Sequence, residues 1–302
     1  MIVIEQLTKR FGSRTAVDSL TATVQPGRVT GFLGPNGAGK STTMRMIVGL
    51  DRPTSGSVTV GGKRYDKLAA PMHEVGALLD AKAAHPGRSA ESHLRSLAAT
   101  HGIGKQRVDE VIAITGLESV ARRKAGKFSL GMGQRLGIAV ALLGDPATLI
   151  LDEPVNGLDP EGVMWVRQLA RHYAAEGRTV LLSSHLMSEM AQTADHVLVL
   201  GRGRLIADAP IGDLLGANAA SVRVRSPRAT ELAALLAGPQ VTTTPGTDGA
   251  FEVRGLTAAE IGDRAGAAGI SLHELTPVSA SLEEAYLALT QHEVEYRMEA
   301  AR

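Results

Sequence analysis

The sequence predicts an α/β fold with a largely parallel sheet whose faces are covered, followed by a small α+β C-terminal domain. Three observations carry that reading. An apolar run, Val29-Thr30-Gly31-Phe32-Leu33, passes straight into a glycine-rich turn and then a helical pattern. Two more buried-type strands, Thr148-Leu149-Ile150-Leu151 and Thr179-Val180-Leu181-Leu182, alternate with helices, which is how a parallel sheet is built. After about Leu215 the texture changes, and the order strand, helix, strand, strand, helix, strand resembles a split βαβ unit. At 302 residues the chain has room for both parts. The expected division is residues 1–215 and residues 216–302.

Taken in order, Ile2–Glu5 and Ala16–Val24 read as strands ahead of Val29–Leu33. The helix behind the glycine turn is expected to bury Met44, Met46, Ile47 and Leu50 as packing residues. Ser57–Val60 before Gly61-Gly62 reads as a short strand and turn. From about Ser89 to Leu143 the pattern is helical. Val108, Val111, Ile112 and Leu117 recur at helix spacing there, and Gly116 interrupts the run. A helix is expected from Pro160 to about Glu176, and another follows the strand at Thr179. His196–Leu200 and Leu205–Ala207 form a hairpin through Gly201-Arg202-Gly203. In the C-terminal part, strands are expected at Val222–Val224, near Val241, at Phe251–Val253 and at Ser271–Leu275. Helices are expected at Ala229–Leu236, Thr257–Ala268 and Ser281–Leu289.

Bulk composition narrows the function classes. Hydrophobic residues at 44% and charged residues at 21% are ordinary for a globular chain. Aromatics at 3% leave little with which to stack nucleic-acid bases, and a net charge of +1 gives no field toward a polyanion, so no nucleic-acid partner is expected. Without cysteine there are no disulfides or thiolate metal sites, which fits a cytoplasmic protein. The N-terminus lacks the shape of a signal peptide. No stretch approaches the roughly 20 apolar residues that span a bilayer, so any membrane link must run through a partner.

The chemistry sits first in Gly34-Pro35-Asn36-Gly37-Ala38-Gly39-Lys40-Ser41, which matches G-x-x-x-x-G-K-[ST] in the strand-to-helix context that validates it. The glycines let the backbone bend so that successive N–H groups face phosphate oxygens. The helix N-terminus behind them, with Thr42 in its first turn, adds positive potential. Lys40 supplies a cation to the terminal phosphates of a nucleotide, and Ser41 offers a hydroxyl to Mg²⁺. A chance glycine turn before a lysine would lack the flanking strand and helix. The second element is Leu149-Ile150-Leu151-Asp152-Glu153, a buried strand ending in two carboxylates. Asp152 is placed to approach Mg²⁺, and Glu153 to polarise an attacking water as general base. Alone, such a pair is usually a strand end meeting solvent; with the loop upstream, the functional reading prevails.

Further motifs resemble one family, the ATP-binding subunits of ABC transporters, over at least residues 2–210. Phe128-Ser129-Leu130-Gly131-Met132 with Gly133-Gln134-Arg135 sits where that family carries its signature. Asn156-Gly157-Leu158-Asp159 resembles its D-loop, Ser184-His185 its switch-histidine segment, and Phe11 its adenine-stacking aromatic. The resemblance implies a phosphate-loop NTPase core with an antiparallel β subdomain and a helical subdomain at about 89–143. It also implies a head-to-tail dimer of two copies closed around two ATP molecules. Ser129 and Gly131 of one copy would cap the phosphates held by the other, with Asp159 also at the nucleotide. His185 would contact the γ-phosphate and attacking water.

Two departures accompany the resemblance. The signature has Phe128, Leu130 and Met132 where many members have Leu, Gly and Gln. Asp80, at the end of Val75-Gly76-Ala77-Leu78-Leu79, stands where the family usually places a Mg²⁺-contacting glutamine; a carboxylate is still a hard oxygen ligand.

Other candidates read as bland. His85, His93 and His101 lack metal spacing, Arg122-Arg123-Lys124 is a solvated turn, and Trp165 packs. The stripe Leu282, Ala285, Tyr286 and Leu289 forms an amphipathic helix. Its segment is similar to the ending of exporter ATPases of the daunorubicin and bacitracin resistance type. The resemblance therefore implies an ATPase that powers export of a small amphiphile (a drug, antibiotic or lipid) through separate integral membrane permease subunits, attached peripherally at the cytoplasmic face. The alternative is a soluble ABC ATPase acting on ribosomes or DNA. Those usually carry two cassettes or a long coiled-coil insertion, and neither is found here.

Overall fold

The computed structural model describes residues 1–80, 83–217, 221–246, 249–278, 282, 283 and 286. They fall into two compact units, Met1–Pro210 and Ile211–Ala288.

The first unit begins with β1 (Ile2–Phe11), β2 (Arg14–Val24) and β3 (Val29–Leu33), then α1 (Lys40–Ile47), β4 (Ser55–Val60), α2 (Pro71–Glu74) and β5 (Val75–Leu78). Three helices follow, α3 (Ala90–Thr100), α4 (Lys105–Ile114) and α5 (Leu130–Leu142). Next come β6 (Thr148–Leu151), α6 (Pro160–Ala175), β7 (Thr179–Ser183), α7 (Met187–Thr193) and the hairpin β8 (His196–Gly201) and β9 (Arg204–Pro210).

Two sheets result. An antiparallel sheet runs β2-β1-β4, and a six-stranded sheet runs β5-β6-β7-β3-β8-β9 with only β9 antiparallel to its neighbour. In β3, β6 and β7 every residue is buried, as expected for strands covered on both faces. One core cluster joins the sheets through Ile2, Leu7, Phe32, Ile47, Ile150 and Leu198. Truncating a side chain as buried as Phe32 to alanine costs about 3–5 kcal/mol. The β8–β9 turn is Arg202-Gly203, both at positive φ, so the two-residue hairpin takes the mirror-image turn that suits strand twist.

The helical part matches its pattern. Ser89 accepts the Ser92 N–H at 3.1 Å and starts α3, which buries Ala90, Leu94 and Ala98 four residues apart. In α4 the buried face is Val108, Val111 and Ile112; Gly116, at φ 65°, then turns the chain and buries Leu117. One expectation fails in α1. Met44, Met46 and Ile47 are buried, but Leu50 is 60% exposed. The helix stops at Ile47, and Gly49, at φ 70°, swings the chain off its axis before Leu50 is reached.

The second unit contains α8 (Ile211–Ala217), β10 (Ser221–Arg225), α9 (Ala229–Leu236), β11 (Thr242–Pro245), β12 (Ala250–Arg254), α10 (Ala258–Ala267) and β13 (Glu274–Val278). The strand order β11-β12-β10-β13, antiparallel throughout, is the split βαβ arrangement. Its separate core holds Val222, Val224, Leu232, Leu236, Phe251, Val253 and Ile261. Thr257 and Glu260 form a reciprocal capping box at the start of α10.

The strand expected near Val241 is found at Thr242–Pro245, just after the isolated bridge of Val241 to Gly238. One strand is displaced from expectation. The last strand lies at Glu274–Val278 rather than Ser271–Leu275. It is an edge strand, which tolerates Pro277, and its register begins with Arg225 opposite Glu274. The expected helix at Ser281–Leu289 falls almost wholly outside the described residues.

Candidate nucleotide-binding site

The phosphate loop spans the gap between β3 and α1. Gly37 and Gly39 take φ values of 84° and 103°, open to glycine and costly to other residues. At Gly39 there is a second constraint: a Cβ would lie 2.6 Å from the Ala16 carbonyl oxygen. The loop is internally braced by the Ala38 N–H, which donates to the Pro35 carbonyl at 3.1 Å. Lys40 Nζ donates to the carbonyls of Gly34 at 2.5 Å and Pro35 at 3.3 Å. Burial lowers the Lys40 pKa from 10.5, and the charges of Glu153 and Asp152 oppose that shift. Ser41 is exposed in the first turn of α1, and Thr42 lies beside it.

A cleft of about 450 Å³ lies over this loop. Phe11, Arg14, Ala16, the run Pro35–Thr42 and Glu153 line it. Phe11 ends β1 and faces Arg14 across the β1–β2 hairpin. It is half exposed, with Lys9 Nζ 4.9 Å from its ring centroid. The cleft therefore has an aromatic at one end and a phosphate cradle at the other. Arg14 and Ala16 were not anticipated, because only the hairpin register brings them here.

The strand order places the rest. β6, β7 and β3 are adjacent and parallel, so the residues after each strand converge at one sheet edge, where α/β proteins bind ligands. Asp152 and Glu153 follow β6. Ser183, the last residue of β7, donates its hydroxyl to Asp152 Oδ1 at 2.6 Å and accepts the Glu153 N–H at 2.9 Å. Glu153 holds φ 49°, a left-handed conformation that costs a non-glycine residue about 1–3 kcal/mol. Gln134 Nε2, from α5, donates to its carbonyl at 2.8 Å. His185 Nδ1 lies 2.7 Å from Glu153 Oε2, and with the carboxylate ionised the ring proton sits on Nδ1. Ser183 is missed in the sequence, where it reads as part of an ordinary strand, and Gln134 stands there only as a member of the signature run, with no sign of its bond to Glu153.

The signature and D-loop residues do not line the cleft of their own chain. Ser129 is the N-cap of α5, and its Oγ accepts the Met132 N–H at 3.2 Å. That leaves its own hydroxyl proton available to another acceptor. Gly131 is needed by packing, since a Cβ would sit 2.8 Å from the Gly157 carbonyl oxygen. Asp159 caps α6 by accepting the Gly162 N–H at 2.9 Å. Asp80 is exposed after β5, whose neighbour β6 leads to Asp152; the Asp152 N–H donates to the Leu78 carbonyl at 2.8 Å. Trp165 packs against Arg135, its ring centroid 4.9 Å from the guanidinium carbon.

The donors suit a metal brought by a nucleotide. Among the described residues no three metal-ligating side chains cluster. The cleft offers the hydroxyls of Ser41 and Thr42, and Asp152 keeps Oδ2 after Oδ1 is taken by Ser183. Hard oxygens in that small number fit Mg²⁺, which binds one or two protein groups and fills its shell with phosphate oxygens and water. No helix among the described residues is long and apolar enough to cross a membrane.

Comparison with known proteins agrees. Residues 17–156 match the ABC transporter family, and residues 220–283 match a domain family of unknown function. The bacitracin transport ATP-binding protein BcrA of Bacillus licheniformis is 42% identical over 221 residues, 72% of each chain. The lantibiotic transport ATP-binding protein SrtF of Streptococcus pyogenes is 34% identical over 68% of this chain and 89% of its own. The Nod factor export ATP-binding protein I of Burkholderia pseudomallei is 36% identical over 68% and 70% respectively. Among solved structures, an ATP-binding subunit of an ABC transporter superposes with a TM-score of 0.65 at 26% identity, covering 71% of this chain and 91% of that one. Relatives of 34–42% identity that each cover two thirds or more of the chain leave one conclusion: this chain belongs to the ATP-binding proteins of ABC transporters, the ATPases that drive their transport.

Proposed function

We propose that this chain is the ATPase subunit of a bacterial exporter that moves a small amphiphile, a drug, antibiotic or lipid, through separate membrane permease subunits. It would act at the cytoplasmic face of the membrane, held there by those subunits. The observation that carries the chemistry is the single cleft uniting Phe11, the phosphate loop and Glu153, with His185 on the Glu153 carboxylate. Relatives named for bacitracin, a lantibiotic and Nod factor export support the exporter reading.

In this reading adenine stacks on Phe11, and the β- and γ-phosphates lie against the N–H groups from Asn36 to Thr42. Lys40 moves from the Gly34 and Pro35 carbonyls onto phosphate. Mg²⁺, held by Ser41 and Asp152 with Asp80 beside them, would offset negative charge on the phosphates. Glu153 accepts a proton from the attacking water, and His185 keeps its carboxylate oriented. Two copies close head to tail. Ser129 donates its free hydroxyl proton, and the N-terminus of α5 around Gly131 faces the γ-phosphate held by the partner. Asp159 holds the D-loop at that same junction. Loss of the γ-phosphate removes these contacts and lets the pair open, which the permease subunits convert into export.

Glu153→Gln tests the core of this proposal. ATP binding should persist, turnover should fall sharply, and an ATP-bound dimer should accumulate on size exclusion. Wild-type turnover would remove Glu153 from the base role. Affinity purification from detergent-solubilised membranes should recover an integral membrane partner; recovery with ribosomes instead would replace the exporter reading.

A further inference from the structure

We infer that Gln134 is a positioning residue that ties the Glu153 carboxylate of one nucleotide site to the helix capping the other site. The inference rests on the proposed roles of Glu153 as base and of α5 as the cap on the partner's ATP.

Gln134 is 3% exposed and lies in α5, whose N-cap is Ser129. Its Nε2 donates to the Glu153 carbonyl at 2.8 Å. That carbonyl belongs to the residue held at φ 49°, which a chain keeps only when its surroundings over-determine it. Ser183 grips the Glu153 N–H and Gln134 grips its C=O, so the peptide groups on both sides of its Cα are fixed. The side chain from that Cα reaches His185. A small rotation of the Glu153 backbone would swing the carboxylate away from the water it must deprotonate.

The geometry gives the first half of α5 two points of use. Ser129 and the first turn point at the phosphates of the partner's ATP in the closed dimer, while five residues on, Gln134 reaches into its own site. A helix is stiff along this length, so docking of its N-terminus on one ATP fixes the carbonyl partner of Glu153 at the other. Each site would then hydrolyse best when the opposite site is filled.

Three variants test this in the full-length protein. Gln134→Met keeps volume and removes the donor. ATP affinity should stay within about twofold while kcat falls by roughly 10²-fold, the scale of a misplacement of about 1 Å. Gln134→Glu places a carboxylate against the Glu153 carbonyl; only its protonated form can donate there. Its kcat, divided by that of wild type at each pH, should therefore rise as pH falls. Ser129→Ala combined with Gln134→Met should be no slower than the slower single variant, since both break one linkage.

A wild-type kcat in Gln134→Met, a flat ratio for Gln134→Glu, or full additivity in the double variant would each overturn the inference. A loss of ATP binding with kcat preserved would do so too. Glu153→Gln, run in parallel, separates the two readings. If it is slow while Gln134→Met is fast, only the linkage fails; if it turns over at the wild-type rate, the base assignment itself fails.

Discussion

His185 Nδ1 lies 2.7 Å from Glu153 Oε2, although 32 residues separate the two in sequence. The contact exists because β6 and β7 are parallel neighbours, paired from Thr148 opposite Thr179 to Leu151 opposite Leu182. Each strand therefore delivers its next residues to the same edge of the sheet. The His185 side chain is half exposed, while that of Glu153 is only 20% exposed. The histidine is thus the more open member of the pair, while Glu153 is the one that lines the nucleotide cleft.

Removing that contact should impair chemistry rather than binding. His185→Ala is expected to lower kcat by about 10²–10⁴-fold, the range for losing a group that supports proton transfer. ATP affinity should change little. Single-turnover hydrolysis alongside equilibrium nucleotide binding checks both; an unchanged single-turnover rate would remove His185 from the mechanism.

Phe11 should contribute to binding and little else. Phe11→Ala is expected to weaken ATP affinity by about 1–3 kcal/mol, the worth of one base–aromatic stack. Phe11→Tyr should retain it. Because kcat at saturating ATP should be preserved in both, titration of the ATP dependence is the deciding measurement.

Lys40 makes nucleotide affinity depend on pH. Burial holds its pKa below 10.5 in the free protein, and bound phosphates would raise it. Binding is therefore at full strength while Lys40 is protonated in the free state. It weakens as pH rises through the depressed value, at lower pH than an ordinary lysine would show. Nucleotide titrations from neutral pH upward should show this loss, and Lys40→Arg should remove the pH dependence whatever it does to affinity.

Gly76 should not accept even a methyl group. A Cβ there would lie 1.9 Å from the Ala141 carbonyl oxygen and 2.7 Å from Pro146 Cγ. β5 and α5 would have to part, so Gly76→Ala is expected to cost at least about 1–3 kcal/mol. Thermal unfolding reads that directly. ATP binding at low temperature should survive, since the phosphate loop is built on β3.

What the sequence made legible was local. The phosphate loop, the acidic strand end and the helix from Ser89 are contiguous patterns whose residues act next to where they are written. The contacts of Gln134 and Ser183 were opaque for the opposite reason: each acts on Glu153 through tertiary register, which neither the signature run that holds Gln134 nor the strand end at Ser183 reveals. Arg14 belongs with them, since it reaches the cleft only through the hairpin that sets it opposite Phe11. Leu50 misled because apolar periodicity continued past the point where Gly49 ends the helix. The last strand slid because a proline within it is tolerated only at a sheet edge, and edge or centre is a property of the whole sheet.

Gly131 and Gly157 carry a consequence for engineering. A Cβ on Gly131 would meet the Gly157 carbonyl, and a Cβ on Gly157 would meet the Leu130 side chain at 2.3 Å. The two segments are interlocked like key and ward, and Leu130 is one of the signature positions at which this chain is unusual. Grafting the signature of another relative onto this chain would therefore change the packing against Gly157, and its fit would turn on the residue that arrives at position 130. The two segments pack as one surface, and a side chain added at either glycine would push them apart.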